Sequence, residues 1–131
     1  MRRASAGIII VALSLWAVVA DADAAQERTL TGIYTSGFRD GDQPVRAVFT
    51  SSGEDAWDVA FYFKFNGADH VYAGTAEGSL IEGGLEGKVA NESKRRTFVF
   101  QGEFKAGKFT GRHAEVKRRG ERQTGAITLT E

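Results

Sequence analysis

The chain has 131 residues, no cysteine, and 17 Lys and Arg balanced by 17 Asp and Glu. The lack of cysteine excludes disulfides, cysteine-ligated zinc and a thiol nucleophile. The zero formal net charge argues against nucleic acid as a partner, because binding to a phosphate backbone needs a basic surface. One soluble domain is the expected class.

The start of the chain has the order of a secretory signal peptide. A basic beginning that ends at Arg3 is followed by an apolar run over 7–20 and by small residues up to Ala24. This run is too short for a transmembrane helix, which takes roughly 20 residues. We therefore expect a signal peptide over 1–24, cleavage after Ala24 and no permanent membrane span. A single β domain over 25–131 is expected in the periplasm or outside the cell.

The mature chain opens with two expected strands, near 28–35 and 44–51. Between them, Asp40 and Asp42 flank Gly41 in a pattern that resembles part of a calcium-binding loop. The later ligands of such a loop are missing, so we expect a simple turn here and no metal.

The clearest local signal is a hairpin in the middle of the chain. Over 56–65, a large apolar residue occupies nearly every second position, which is the period of a strand with one buried face. Asn66 and Gly67 follow, and this pair favours a two-residue turn because both of its positions need positive φ. A returning strand is expected over 69–79.

Turn-forming residues divide the rest of the chain into four more short segments. The expected strands lie near 85–90, 96–105, 108–117 and 123–130. No window shows the 3.6-residue apolar stripe of a helix. The expected fold is all-β, an antiparallel meander of about eight strands that forms an up-and-down barrel or a sandwich. In strand number and spacing it resembles the lipocalin and avidin class of barrels.

An internal repeat supports an alternative fold. Residues 78–88 and 102–112 share the pattern Gly-x-apolar-x-x-Gly-x-apolar-x-Gly-basic. The middle glycine is expected to form a turn, and the outer glycines to allow close approach of a strand or a bulky side chain. Within this pattern, residues 100–111 resemble one MORN repeat, a short hairpin unit with aromatic residues and glycines at fixed spacing. That resemblance implies an open, elongated sheet used for scaffolding or lipid contact.

Aromatic residues on the expected inward faces raise the question of a ligand site. Most of them must form the core of so small a domain. On the faces of Tyr72 and His113, however, glycine and polar residues alternate with the aromatic ones. This mixture suits a small apolar pocket, and it also suits a narrow barrel filled by its own side chains. Our candidate ligand-binding residues are Trp57, Tyr72, His113 and Tyr34. Tryptophan and tyrosine offer stacking area, and histidine offers a hydrogen bond that changes with pH.

Catalysis and metal binding have little support in the sequence. It contains no Gly-x-Ser-x-Gly, no His-Glu-x-x-His and no glycine-rich phosphate loop. His70, His113 and Glu115 could form a two-histidine, one-carboxylate site, but the spacing of the two histidines is arbitrary. We expect no catalytic residue, no cofactor and no metal. The basic segments 94–96 and 117–122 are expected to be solvated turns, and a weak contact with an anionic surface or a lipid headgroup is the functional alternative.

The leading functional hypothesis is an exported, non-enzymatic binding module for a small apolar or amphipathic molecule or a cell-envelope component. The alternative is a structural or protein-interaction module built on glycine-rich hairpins, whose partner is another envelope protein.

Overall fold

The computed structural model describes residues 26–131, apart from residues 38 and 66 and the side chains of residues 39 and 40. The predicted signal peptide and its cleavage point lie outside the described residues. Within the described part of the chain, no helix is long and apolar enough to cross a membrane.

The described residues form eight antiparallel strands that pair in chain order and close into a barrel. They are β1 (Glu27–Ser36), β2 (Arg39–Gly53), β3 (Ala56–Phe65), β4 (Ala68–Gly78), β5 (Gly83–Asn91), β6 (Arg96–Lys105), β7 (Lys108–Lys117) and β8 (Gly120–Thr130). Residues 31–34 of β1 pair with 127–130 of β8. The predicted all-β meander is confirmed, as an up-and-down barrel with the architecture of lipocalins and avidin. The open sheet implied by the MORN resemblance is wrong, because the pairing of β1 with β8 leaves no free edge.

Alternation along each strand assigns the two faces of the barrel. In β3, Val59 and Phe61 are buried inside, whereas Asp58 and Lys64 are exposed outside. Aromatic and β-branched side chains suit such a half-buried surface. The predicted boundaries of β3, β6 and β7 are confirmed, since these strands have the clearest alternation and end at tight turns.

The turn predicted around Gly41 is wrong, because this residue belongs to β2. Gly41 has a φ of 84°, and the pairing of β1 with β2 shifts here. Tyr34 pairs with Gln43, whereas Ser36 pairs with Arg39. The left-handed glycine therefore forms a bulge within a long strand. A bulge and a turn can use the same glycine conformation, so the local sequence does not distinguish them.

The predicted hairpin between β3 and β4 is confirmed. Phe65 pairs with Ala68, which leaves a two-residue connection, and Gly67 has a φ of 79°. Asn66, the other residue of this connection, lies outside the described residues.

The glycines of the internal repeat make room for aromatic rings, as predicted. A Cβ on Gly87 would lie 2.7 Å from Cζ of Phe100, and a Cβ on Gly111 would lie 2.7 Å from Cζ of Phe109. The middle glycine of the second copy, Gly107, lies in the turn between β6 and β7 with a φ of 79°. The repeat therefore serves packing inside the barrel.

One end of the barrel is filled with side chains and covered by a loop. The largest fully buried side chains are Phe49, Phe104, Phe109, Leu30, Leu85 and Leu129. The loop between β4 and β5 covers this closed end through the buried Leu80, whose carbonyl accepts a hydrogen bond from the Arg28 guanidinium at 2.8 Å. The opposite end, which includes the connection between β3 and β4, is open and contains the candidate site.

Candidate functional site

The open end of the barrel contains an apolar cavity of about 140 Å³, which we call the cup. Its aromatic wall consists of Tyr34, Phe61, Phe63, Phe65, Tyr72 and Phe98. The rest of the wall consists of Val45, Val89, Ile127, His70, His113, Ser36 and Arg96. An apolar cavity of roughly 150 Å³ accepts benzene. The cup therefore has room for about one ring.

Neighbouring rings hold one another in defined orientations around the cup. Phe63 stacks on Tyr72 at a centroid distance of 5.5 Å and on His70 at 5.6 Å. It also meets Tyr34 edge-on at 5.2 Å. Phe98 meets Tyr72 edge-on at 5.5 Å. Offset and edge-to-face contacts are the favoured geometries of aromatic pairs, so the wall of the cup is ordered by its own packing.

Tyr72 contributes a buried hydroxyl to the cup. It faces inward and is 5% exposed. Its hydroxyl makes no hydrogen bond to any residue that the structure describes, although a buried tyrosine hydroxyl usually has a partner. Burial raises the pKa of Tyr72 and outweighs the nearby charge of Arg96, which lowers it. The hydroxyl is therefore protonated at neutral pH and can donate to a ligand.

His113 lines the cup, but both of its ring nitrogens bond to the protein. The Thr35 carbonyl can only accept, so Nε2 of His113 carries a hydrogen and donates to it at 2.8 Å. Nδ1 lies 2.7 Å from Oγ1 of Thr124. Burial lowers the pKa of His113, which favours the neutral ring. Neither nitrogen of His113 is therefore available for the pH-dependent hydrogen bond to a ligand that we predicted. The residue contributes its ring to the cup wall.

Trp57 lies away from the other three candidate residues. Its indole N–H donates to the Gly78 carbonyl at 3.1 Å, and its ring meets Phe49 edge-on at 6.5 Å, near the closed end. Trp57 and Phe65 share the inward face of β3 but lie at opposite ends of it, roughly 25 Å apart along the strand. The structure thus brings together the two tyrosines and the histidine of the predicted site, without the tryptophan.

Arg96, which we expected in a solvated turn, is a residue of the cup. It is the first residue of β6, and its guanidinium carbon lies 5.4 Å from the centre of the Phe98 ring. The signal that could have found it is its spacing from Phe98, because residues two apart on a strand share a face. Phe63 and Phe98 also line the cup.

A buried carboxylate beside the cup binds three cations. Glu115 is 4% exposed, and Arg96 donates to both of its oxygens, at 3.0 and 3.1 Å. Arg122 donates to Oε1 of Glu115 at 3.0 Å, and Nζ of Lys117 lies 3.3 Å from the same atom. Hydrogen bonds from Arg96 and then Lys117 hold the pKa of Glu115 at about 2, against the opposing effect of burial. The basic segments 94–96 and 117–122 therefore contribute side chains to a buried ion-pair cluster as well as forming turns.

The histidines and Glu115 do not assemble the metal site considered from the sequence. Among the residues that the structure describes, no group of three His, Cys, Asp or Glu side chains could hold a metal ion. His70 stacks on Phe63, and Glu115 is occupied by cationic side chains.

Comparison with known proteins assigns no family to this geometry. No protein-family model matches the chain, and no curated protein sequence matches it.

Proposed function

We propose that this protein is an exported, non-enzymatic binding module that holds one small apolar or amphipathic molecule in the cup. The observation that carries the proposal is an aromatic cavity of about 140 Å³ at the open end of a barrel whose other end is packed. Small-molecule sites are typically concave and mostly apolar, with a few polar groups that orient the ligand. The barrel architecture alone implies no ligand.

The chemistry beside the cup supports binding rather than catalysis. A general base works best when its pKa lies near the operating pH. The pKa of Glu115 is about 2, so this carboxylate accepts no proton near neutral pH. Both nitrogens of His113 bond to the protein, so its ring cannot approach a substrate proton without breaking those bonds.

Toluene is a suitable first probe because it fills about one ring of space and has no polar group. We expect it to produce saturable NMR shifts at the residues of the cup in the wild-type protein. Val89→Phe should abolish these shifts, because Val89 is a buried part of the cup wall and a phenylalanine side chain there occupies the cavity. A two-dimensional NMR titration of both proteins measures this effect.

Val71→Phe is the matched control for that experiment. Val71 is 45% exposed on the outer face of β4, so the same substitution there should leave the affinity for toluene within about twofold of wild type. Shifts that persist in Val89→Phe, or that occur on the outer face of the barrel, would contradict binding in the cup.

The export part of the proposal rests on the basic, apolar and small-residue order of residues 1–24. We expect the protein recovered from the exported fraction of its host to have the mass of a chain that begins at Ala25. Recovery of the full-length mass from the cytoplasm alone would overturn this part of the proposal and leave the cup unaffected.

A protein-interaction module is the second candidate function. The observation that favours it is the exposure of three large apolar side chains, Ile33 on β1, Val71 on β4 and Ile81 in the loop between β4 and β5. The toluene titration separates the two candidates, because an interaction module that uses the outer surface needs no ligand in the cup.

A further inference from the structure

The polar side of the cup is formed by hydrogen-bond donors. Tyr72 and Arg96 both lie against the Phe98 ring, with the Tyr72 ring centre 5.5 Å and the guanidinium carbon 5.4 Å from its centre. Arg96 uses two of its N–H groups on Glu115. Its other N–H groups and the Tyr72 hydroxyl make no hydrogen bond to a residue that the structure describes. These donors belong to the wall of a mostly apolar cavity.

Positive charge is concentrated around the mouth of the cup. Glu115 is a single carboxylate that meets three cations, so this cluster carries a surplus of positive charge. The adjoining turns add the exposed Lys94, Arg95, Arg118 and Arg119. They outnumber the neighbouring acidic residues, Glu92 in one of these turns and Glu121 at the start of β8. At the closed end, the turns carry Glu54, Asp55 and Glu82, and Lys105 and Lys108 flank the turn between β6 and β7. The uneven distribution attracts anions toward the cup even though the chain is neutral as a whole.

We propose that the ligand of the cup is a small organic monocarboxylate. Its apolar body, about one ring in size, fills the cavity, and its carboxylate accepts hydrogen bonds from the Tyr72 hydroxyl and the Arg96 guanidinium. This inference rests on the proposed function, because it names the class of ligand that the cup takes.

A carboxylate complements this wall better than a cationic ligand does. It only accepts hydrogen bonds, and it matches the planar fork of an arginine, which can donate to both of its oxygens. The described wall of the cup contains no carboxylate for a cationic ligand, and the nearby Glu115 is already bound by three cations. A carboxylate bound to Arg96 would lie at the mouth of the cup, because the Arg96 side chain is partly exposed. Its negative charge would then keep contact with water.

Benzoate and toluene test the inference, because they share one ring and differ in the carboxylate. In NMR titrations of the wild-type chain at pH 7 and low salt, we expect benzoate to bind at least about tenfold more tightly than toluene, as charge-assisted hydrogen bonds imply. Tyr72→Phe and Arg96→Gln should each weaken benzoate binding by about tenfold. Toluene binding should weaken less than benzoate binding in both variants, because toluene has no carboxylate to accept hydrogen bonds from these side chains.

Matched controls come from the outer face of the barrel. Tyr62 lies there beneath the Arg46 guanidinium, 4.3 Å from its ring centre, and Arg112 is exposed on β7. Tyr62→Phe and Arg112→Gln should not change the affinity for benzoate. Arg96→Gln could unfold the protein, because it removes the hydrogen bonds from Arg96 to Glu115. Tyr72→Phe removes a single oxygen atom, so it provides a test that does not depend on that contact.

The outcomes separate this inference from the proposed function. If toluene binds in the cup but benzoate binds no more tightly, the carboxylate inference is wrong and the proposed function stands. Undiminished benzoate binding in Tyr72→Phe, or in Val89→Phe, would also overturn the inference, because the anion would then lie outside the assigned site. If neither probe binds to wild type, the proposed function fails and this inference fails with it.

Discussion

Replacing Glu115 with glutamine is expected to lower the free energy of unfolding by about 3 kcal/mol at pH 7. The neutral side chain leaves Arg96, Arg122 and Lys117 close together without the carboxylate that they share. The magnitude follows from the pKa of Glu115, which is about 2 in the fold against an ordinary value of 4.5, because each pKa unit corresponds to about 1.4 kcal/mol. Urea unfolding of both proteins at pH 7 measures the difference.

The same pKa predicts how the effect of Glu115→Gln depends on pH. A carboxylate whose pKa is lowered in the fold stabilises it fully above its unfolded-state pKa, and this contribution is lost as the pH falls through the folded-state pKa. The difference in stability should therefore shrink as the pH falls from 4.5 toward 2. A difference that stays constant over this range would contradict the electrostatic role. Glu121→Gln is the control, since Glu121 is exposed on β8, and it should change stability by less than about 0.5 kcal/mol.

Gly74→Ala is expected to destabilise the barrel by about 3 kcal/mol. An added Cβ would overlap the backbone carbonyl oxygen of Lys88 and would lie 2.9 Å from the Cα of Val89. Both atoms belong to the backbone of β5, which cannot rotate away as a long side chain can. The strands β4 and β5 must therefore separate locally. Thermal unfolding should show a melting temperature lower by at least about 10 °C.

Gly84→Ala is the matched control for this substitution. Gly84 lies on β5, and a Cβ added to it would meet no atom within 4 Å. The same change of residue should therefore leave the melting temperature nearly unaltered. Equal effects of Gly74→Ala and Gly84→Ala would show that close approach of β4 and β5 does not limit stability at Gly74.

The destabilisation of Gly74→Ala also bears on the cup. Gly74 pairs with Val89, and Val89 is part of the cup wall. A strand that moves to accommodate the added methyl group therefore carries a wall residue with it. The close approach of these two strands links the stability of the barrel to the shape of the site.

The inward positions of the cup could be predicted from the sequence, but its location could not. Alternation places Trp57 and Phe65 on the same face of β3, and nothing in that pattern tells which end of the strand is packed. The contact of Arg96 with Glu115 spans 19 residues. It forms because Phe98 of β6 pairs directly with Glu115 of β7, which brings the start of one strand beside the end of the next. Strand register of this kind depends on turn geometry and the burial of whole faces.

The sequence by itself determined the all-β class, the number of strands and the inward face of most of them. Alternation and turn chemistry are local properties, so a single chain without comparison is enough to recognise them. The tertiary structure alone decided that β1 closes on β8, that one end of the barrel fills while the other holds the cup, and that Glu115 binds three cations. These features depend on the stagger of strands around a closed barrel, which places side chains together that are far apart in the chain.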